Sequence, residues 1–180
     1  MLCAYLRMPY SPDDPKFDPA ERQVRTTAQT AIGARLRPDH PGFWPDARID
    51  LTDARLIGLD FSGITVGEFR ADHARFDDDA KFGGATFNTR AWFRGASFSR
   101  DAGFDQTTFH GDTWFHGATF KGNIRFSGAR FHGDAEFGEA RFRRDHPPVW
   151  PVWPEAFAEP AGLVWVDPDP DPPAAPPNGP

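Results

Sequence analysis

The chain has one cysteine, three lysines and no long apolar run. With Cys3 alone, no disulfide framework can form within it and no cysteine-rich zinc spacing exists, so it reads as built for a reducing compartment. No stretch of 18 apolar residues occurs, which excludes an ordinary transmembrane helix, and the opening segment from Met1 to Arg7 is too short for a secretory apolar region. The expected location is the cytoplasm. The 3 lysines stand against 17 arginines, a bias that fits a GC-rich bacterial genome. Concentrated charge is also missing: of the net −6, residues 1–50 carry 0, residues 51–142 carry −2 and residues 143–180 carry −4. The acidity sits in the tail, so the middle of the chain is not a strongly charged surface, and direct nucleic-acid binding is not expected. Absent too are a nucleophile with a positioned base, a phosphate loop, a dinucleotide motif and a paired-carboxylate cleft; Ser97, Ser99, Thr107 and Thr108 have no triad around them. The chain is expected to be no enzyme and to hold no cofactor.

What is abundant is phenylalanine, placed on a five-then-six count at Phe76, Phe82, Phe87, Phe93, Phe98, Phe104, Phe109, Phe115, Phe120, Phe126, Phe131, Phe137 and Phe142. Two positions earlier stands a small or aliphatic residue, among them Ala80, Ala85, Ala91, Ala96, Ala102, Thr107, Ala118, Ala129, Ala135 and Ala140. Counting back in fives from Phe76 gives Ala71, Val66, Phe61, Leu56 and Leu51, again with apolar partners two before. Residues 49–142 therefore hold 18 consecutive units. A short fixed period of this kind is the mark of a solenoid.

A large central residue with a small one two positions before it, every five, resembles the pentapeptide-repeat family over about half the chain. The resemblance implies an all-β solenoid, a right-handed quadrilateral β-helix with four units per coil, hence coils of 20 residues where the units are fives and of 22 where fives and sixes alternate. The structural core is then four internal columns: Phe82, Phe104 and Phe126; Phe87, Phe109 and Phe131; Phe93, Phe115 and Phe137; Phe98, Phe120 and Phe142. At a strand spacing of about 4.8 Å, 18 units make about 4.5 coils and a rod roughly 22 Å long. Each buried ring contributes roughly 1.5–3 kcal/mol. Gly84, Gly95, Gly117 and Gly128 fall where a tight corner favours glycine. The extra residue of each six-step (Asp79, Arg90, Asp101, Asp112, Asn123, Asp134) is polar, as a solvated, bulged corner requires.

The flanks divide in three. Residues 1–48 form a short N-terminal α-helical cap. Its first piece carries Leu2, Tyr5 and Leu6; its second starts at Asp18 as N-cap with Pro19 and Glu21 behind it and ends before Pro38. Val24, Ala28, Ala31, Ile32 and Leu36 make the stripe expected to close the open end of the solenoid. Residues 143–166, with Val149, Trp150, Val152, Trp153, Phe157, Leu163, Val164 and Trp165, are expected to fold over the other end. Residues 167–180 read as a disordered Pro/Asp-rich tail. The segment from Leu2 to Tyr10, Glu21–Arg25, and Phe43 with Trp44 also resemble the juncture in larger actinobacterial pentapeptide-repeat proteins, where membrane-spanning helices come before this point. On that resemblance the chain is expected to be a naturally short or truncated relative.

Two columns are the candidate interaction surface. Trp92 and Trp114 precede Phe93 and Phe115 and so point outward, 22 residues apart, with Glu136 on the next rung. They are either an exposed anchor for a partner or a pair covered by the helix or the C-terminal segment. His110 and His132 stack on another face below Asn88; two imidazoles without further ligands tile a surface rather than hold a metal. The leading expectation is a non-enzymatic scaffold binding an unknown protein, with self-association through the solenoid ends as an additional mode. One alternative is a DNA mimic acting on DNA gyrase or topoisomerase, which needs a continuous acidic stripe. The other is a remnant of a membrane-tethered homologue.

Overall fold

A residue that must be buried at every fifth or sixth position forces the backbone round a corner after each short strand. The computed structural model, which describes residues 1–11, 19–151 and 162–167, accordingly shows a parallel β-solenoid of about five turns with a helical N-terminal cap. Four sheets make its sides. The first stacks Arg48–Asp50, Glu68–Arg70, Ala91–Trp92, Thr113–Trp114 and Ala135–Glu136. The second stacks Arg55–Ile57, Arg75–Asp77, Ser97–Phe98, Thr119–Phe120, Arg141–Arg143 and Val164–Val166. The third holds Ala80–Lys81, Ala102–Gly103 and Ile124–Arg125, and the fourth Thr65–Val66, Thr86–Phe87, Thr108–Phe109 and Arg130–Phe131. Every pairing is parallel, because each coil returns to the same face travelling the same way. Leu56 lies beside Phe76 in the early coils, and Phe98 beside Phe120 in the later ones, which are the 20- and 22-residue coils.

The interior is a stack of rings. Phe76 on Phe98, Phe82 on Phe104, Phe87 on Phe109, Phe93 on Phe115 and Phe98 on Phe120 are nearly parallel, at 4.4 to 4.9 Å. Between columns the rings meet edge to face, as Phe82 does Phe93 at 85°. Both arrangements suit the aromatic quadrupole and add roughly 0.5–1.5 kcal/mol per pair beyond burial. The alanines between them are fully buried. Thr107, in an alanine place, is buried as well and gives its hydroxyl hydrogen to the Phe82 carbonyl at 2.8 Å.

Glycine serves the corners in two ways. Gly84 sits at φ +67°, the left-handed conformation that a Cβ penalises. Gly122 has ordinary freedom but no room: a Cβ there would lie 2.5 Å from the Arg100 carbonyl carbon of the coil before. Only the first kind is marked in the sequence, by its place after Phe-x.

Two expectations are corrected at the ends. The repeat does not stop at Phe142. Val149 bridges to Arg125, Trp150 stacks on Phe126 at 5.7 Å and 4°, and Val164–Val166 pairs in parallel with Arg141–Arg143, setting Trp165 beside Phe142. The chain thus begins another coil beyond the 18 units, which brings the solenoid to about five turns. The pattern is hidden because these offsets are 24 and 23 residues and the rings are indoles. Val152, Trp153, Phe157 and the tail beyond Asp167 lie outside the described residues.

At the other end the helix Pro19–Arg35 lies across the first coil, but on a stripe shifted by one residue. Arg25, Ala28, Gln29, Ile32 and Leu36 are buried, whereas Val24 is 50 % exposed and Ala31 and Leu2 are exposed. Two polar residues join the apolar ones on the inner face because each finds partners there, Gln29 on the strand edge and Arg25 on the short helix. Gln29 gives Nε2–H to the Ile57 carbonyl and accepts the Ile57 N–H on Oε1, both at 2.9 Å, so its amide stands in for the missing strand. Arg25 gives hydrogen bonds to the carbonyls of Leu6 and Met8 and to Glu21, and lies against Tyr10, tying the short helix Leu2–Leu6 to the long one. The Asp18 N-cap falls outside the described residues. Among the described residues no helix is long and apolar enough to cross a membrane.

Candidate interaction surface

Side chains of a strand alternate, so in the first sheet the residue just before each corner phenylalanine faces out. Parallel register then makes one outward column of Asp50, Arg70, Trp92, Trp114 and Glu136. The indoles of Trp92 and Trp114 stack at 5.3 Å and 11°. Arg70 closes the other side of Trp92, its guanidinium carbon 4.5 Å from the ring centroid. Trp92 is therefore only 7 % exposed. Of the two tryptophans, Trp114 keeps surface, being partly exposed with Glu136 at the next rung. The cover on Trp92 is this column itself, an arrangement that neither sequence alternative contained. Arg70 and Asp50 were legible by the same spacing, 22 and 42 residues before Trp92.

The upper rungs of this face are ion-paired. Arg7 reaches Asp50 at 2.6 Å, Arg70 lies 4.0 Å from Glu68, and Arg94 grips the buried Asp72 with Nε at 3.2 Å and Nη2 at 3.0 Å. Burial pushes the Asp50 carboxyl up, but hydrogen bonds from Thr52 and the charges of Arg7 and Arg70 hold it below the usual carboxylate range. The bond to Asp72 raises Arg94 in turn, against partial burial. Asp72 also accepts the Arg94 N–H at 3.1 Å. Asp101 takes the Asn123 N–H at 2.9 Å and Asp112 the Asp134 N–H at 3.2 Å. The polar corners thus tie successive rungs together as well as meeting water.

His110 and His132 stack at 5.1 Å and 9° on the corner after the fourth sheet, exposed, with Asn88 before them. They stand on a different column from the tryptophans, so the two candidate pairs do not form one site. Among the described residues no group of three or more His, Cys, Asp or Glu is placed to hold a metal. His116 is set between two carboxylates, 3.9 Å from Glu136 and 3.8 Å from Glu139.

Among the concavities of the surface, two are of similar size. A polar cleft of about 450 Å³ is lined by Asp46, Arg48, Glu68, Thr89 and Arg90, and its one hydroxyl donates to the Gly67 carbonyl. An apolar groove of about 440 Å³ runs between the two helices past Leu2, Tyr5, Val24 and Ala28. Neither assembles a nucleophile with a base.

A protein-family model described as pentapeptide repeats (9 copies) matches residues 51–108 and 93–141. The right-handed, quadrilateral form expected above is consistent with that family. No curated protein and no solved structure matches the chain.

Proposed function

The chain belongs to the pentapeptide-repeat family, and from that premise we propose that it is a non-enzymatic scaffold that binds a protein partner through the first face of its solenoid, with Trp114 at the centre of the contact. The observation that carries this reading is the indole column. A stacked pair held in place by Arg70 presents Trp114 as a rigid, partly exposed anchor. Tryptophan on a preordered surface contributes more to association than most residue types, because little side-chain freedom is lost on binding.

Mixed charge weighs against imitation of duplex DNA as the activity. The second face turns Arg55, Arg75, Lys121 and Arg141 outward, the fourth carries Thr65, Thr86 and Thr108, and Arg94 and Arg70 interrupt the first. A continuous acidic stripe is what a mimic would need.

The test is affinity purification of the tagged protein from its host beside Trp114→Ala, whose side chain is not part of the buried core. Loss of a specific partner from the variant is the expected result. Recovery of the same set with both proteins would overturn the use of this face.

A further inference from the structure

The first face is divided electrostatically along its length. On its N-terminal rungs three carboxylates meet arginines: Asp50 meets Arg7, Glu68 meets Arg70 and Asp72 meets Arg94. On its C-terminal rungs stand Asp112, Asp134, Glu136 and Glu139, and among the described residues none of them forms an ion pair with an arginine or lysine; His116 comes near Glu136 and Glu139, and Glu136 acts on Arg94 from beyond ion-pair distance. Asp112 and Asp134 occupy successive rungs, because Thr113 pairs with Ala135. Like charges stacked at strand spacing repel, so this half of the face is less stable alone than with a cation beside it.

Trp114 lies in the middle of this acidic half. Its upper neighbour shows what the column accepts: Trp92 already carries a guanidinium on its free side, at 4.5 Å. Trp114 has Trp92 on one side and the rung of Glu136 on the other. An indole face next to a carboxylate suits a planar cation, which stacks on the ring while pairing with the acid. Guanidinium fits this better than ammonium, since it is planar and less strongly hydrated.

Resting on the reading that this face binds a protein, we propose that its occupant is an arginine-bearing segment of a partner polypeptide, with one arginine stacked on Trp114 and paired with Glu136, and further basic residues of the segment meeting Asp134 and Glu139. The internal pair of Arg70 on Trp92 is the intramolecular copy of that contact.

The test is calorimetric titration of the purified full chain with octa-arginine, octa-lysine and octa-glutamate at about 50 mM and 150 mM salt. Octa-arginine is expected to bind about tenfold more tightly than octa-lysine, with the octa-glutamate titration flat. Trp114→Leu should erase the preference for arginine, and the double substitution Glu136→Gln with Glu139→Gln should weaken octa-arginine by about threefold to tenfold. The double variant touches only exposed side chains, so it remains informative if Trp114→Leu folds poorly. Equal binding of the two cationic peptides, or none, would overturn the proposal. So would sedimentation showing that the chain self-associates through Trp114, which would make a second copy the occupant. A host partner captured through Trp114 but bound equally well by the double variant would leave the face in use and remove arginine recognition alone.

Discussion

The two ends of the solenoid solve one problem in opposite ways. Both would leave a strand edge and an apolar cross-section open to water, filled mostly by aliphatic side chains at the first end and by rings at the second. At the N-terminus a helix lies across the coil and offers an amide, Gln29, in place of the next strand, while Gly33 lets the helix come close enough that a Cβ there would touch the Phe61 ring at 3.3 Å. At the C-terminus the chain covers itself with a further, irregular coil, using Trp150 and Trp165 where the regular coils use phenylalanine. The first end is closed by an apolar stripe with one amide matched to the strand edge, the second by further rings set on the columns. A helix can end a sheet when one side chain supplies both a donor and an acceptor, and a repeat can end itself by becoming irregular.

The largest effects should come from the middle, which both ends protect. Phe104→Ala removes a fully buried ring stacked from both sides and should cost about 3–5 kcal/mol, read as a fall in denaturation midpoint. Trp150→Ala, at the partly exposed last rung, should cost less, about 2 kcal/mol. Equal losses would mean that the last coil is as integral as the centre. Next comes Gln29→Ala, which leaves the Ile57 N–H and carbonyl unpaired under the helix and should cost about 2 kcal/mol. Hydrogen exchange should then rise in the first coil while residues of the later coils stay protected. Gln29→Glu keeps the acceptor but sets a buried carboxylate against the Ile57 carbonyl, so at neutral pH it should cost at least as much as alanine; a variant with unchanged exchange would show that the helix closes this end by apolar contact alone.

The smallest effect is an acid sensitivity of the first coil. Asp50 and Asp60, both in the first coil, are pushed up by burial, yet hydrogen bonds from Thr52 and Ser62 and nearby cations hold both below the usual range. A carboxylate with a depressed folded value lends stability that is complete above its unfolded pKa of about 3.9 and is lost as the pH falls through the folded value. Acidification below about pH 4 should therefore loosen the first coil, and Asp50→Asn with Asp60→Asn should flatten that dependence in amide exchange recorded against pH. An unchanged acid slope in the double variant would place the sensitive carboxylates elsewhere.

The repeat was legible in the sequence because its cause is local and periodic. A large residue at a fixed step and a small one two before it leave a backbone with little choice but to coil, and the columns from Phe82 to Phe142 follow from addition. The outward direction of Trp92 and Trp114 follows from the same parity. What only the tertiary structure decided depends on contacts between residues that no period relates. The burial of Trp92 needed Arg70 to lie on it. The helix register needed a strand edge for Gln29 and the carbonyls of the short helix for Arg25, which is why these two displaced Val24 and Ala31 from the inner face. The continuation past Phe142 needed a loop that absorbs two extra residues before Val149, so that indoles 24 and 23 positions on could rejoin the columns. Periodicity fixes which residues share a face, because strand geometry is set by the backbone; what covers each face is fixed by side chains brought from elsewhere, because burial is satisfied wherever a matching surface can reach.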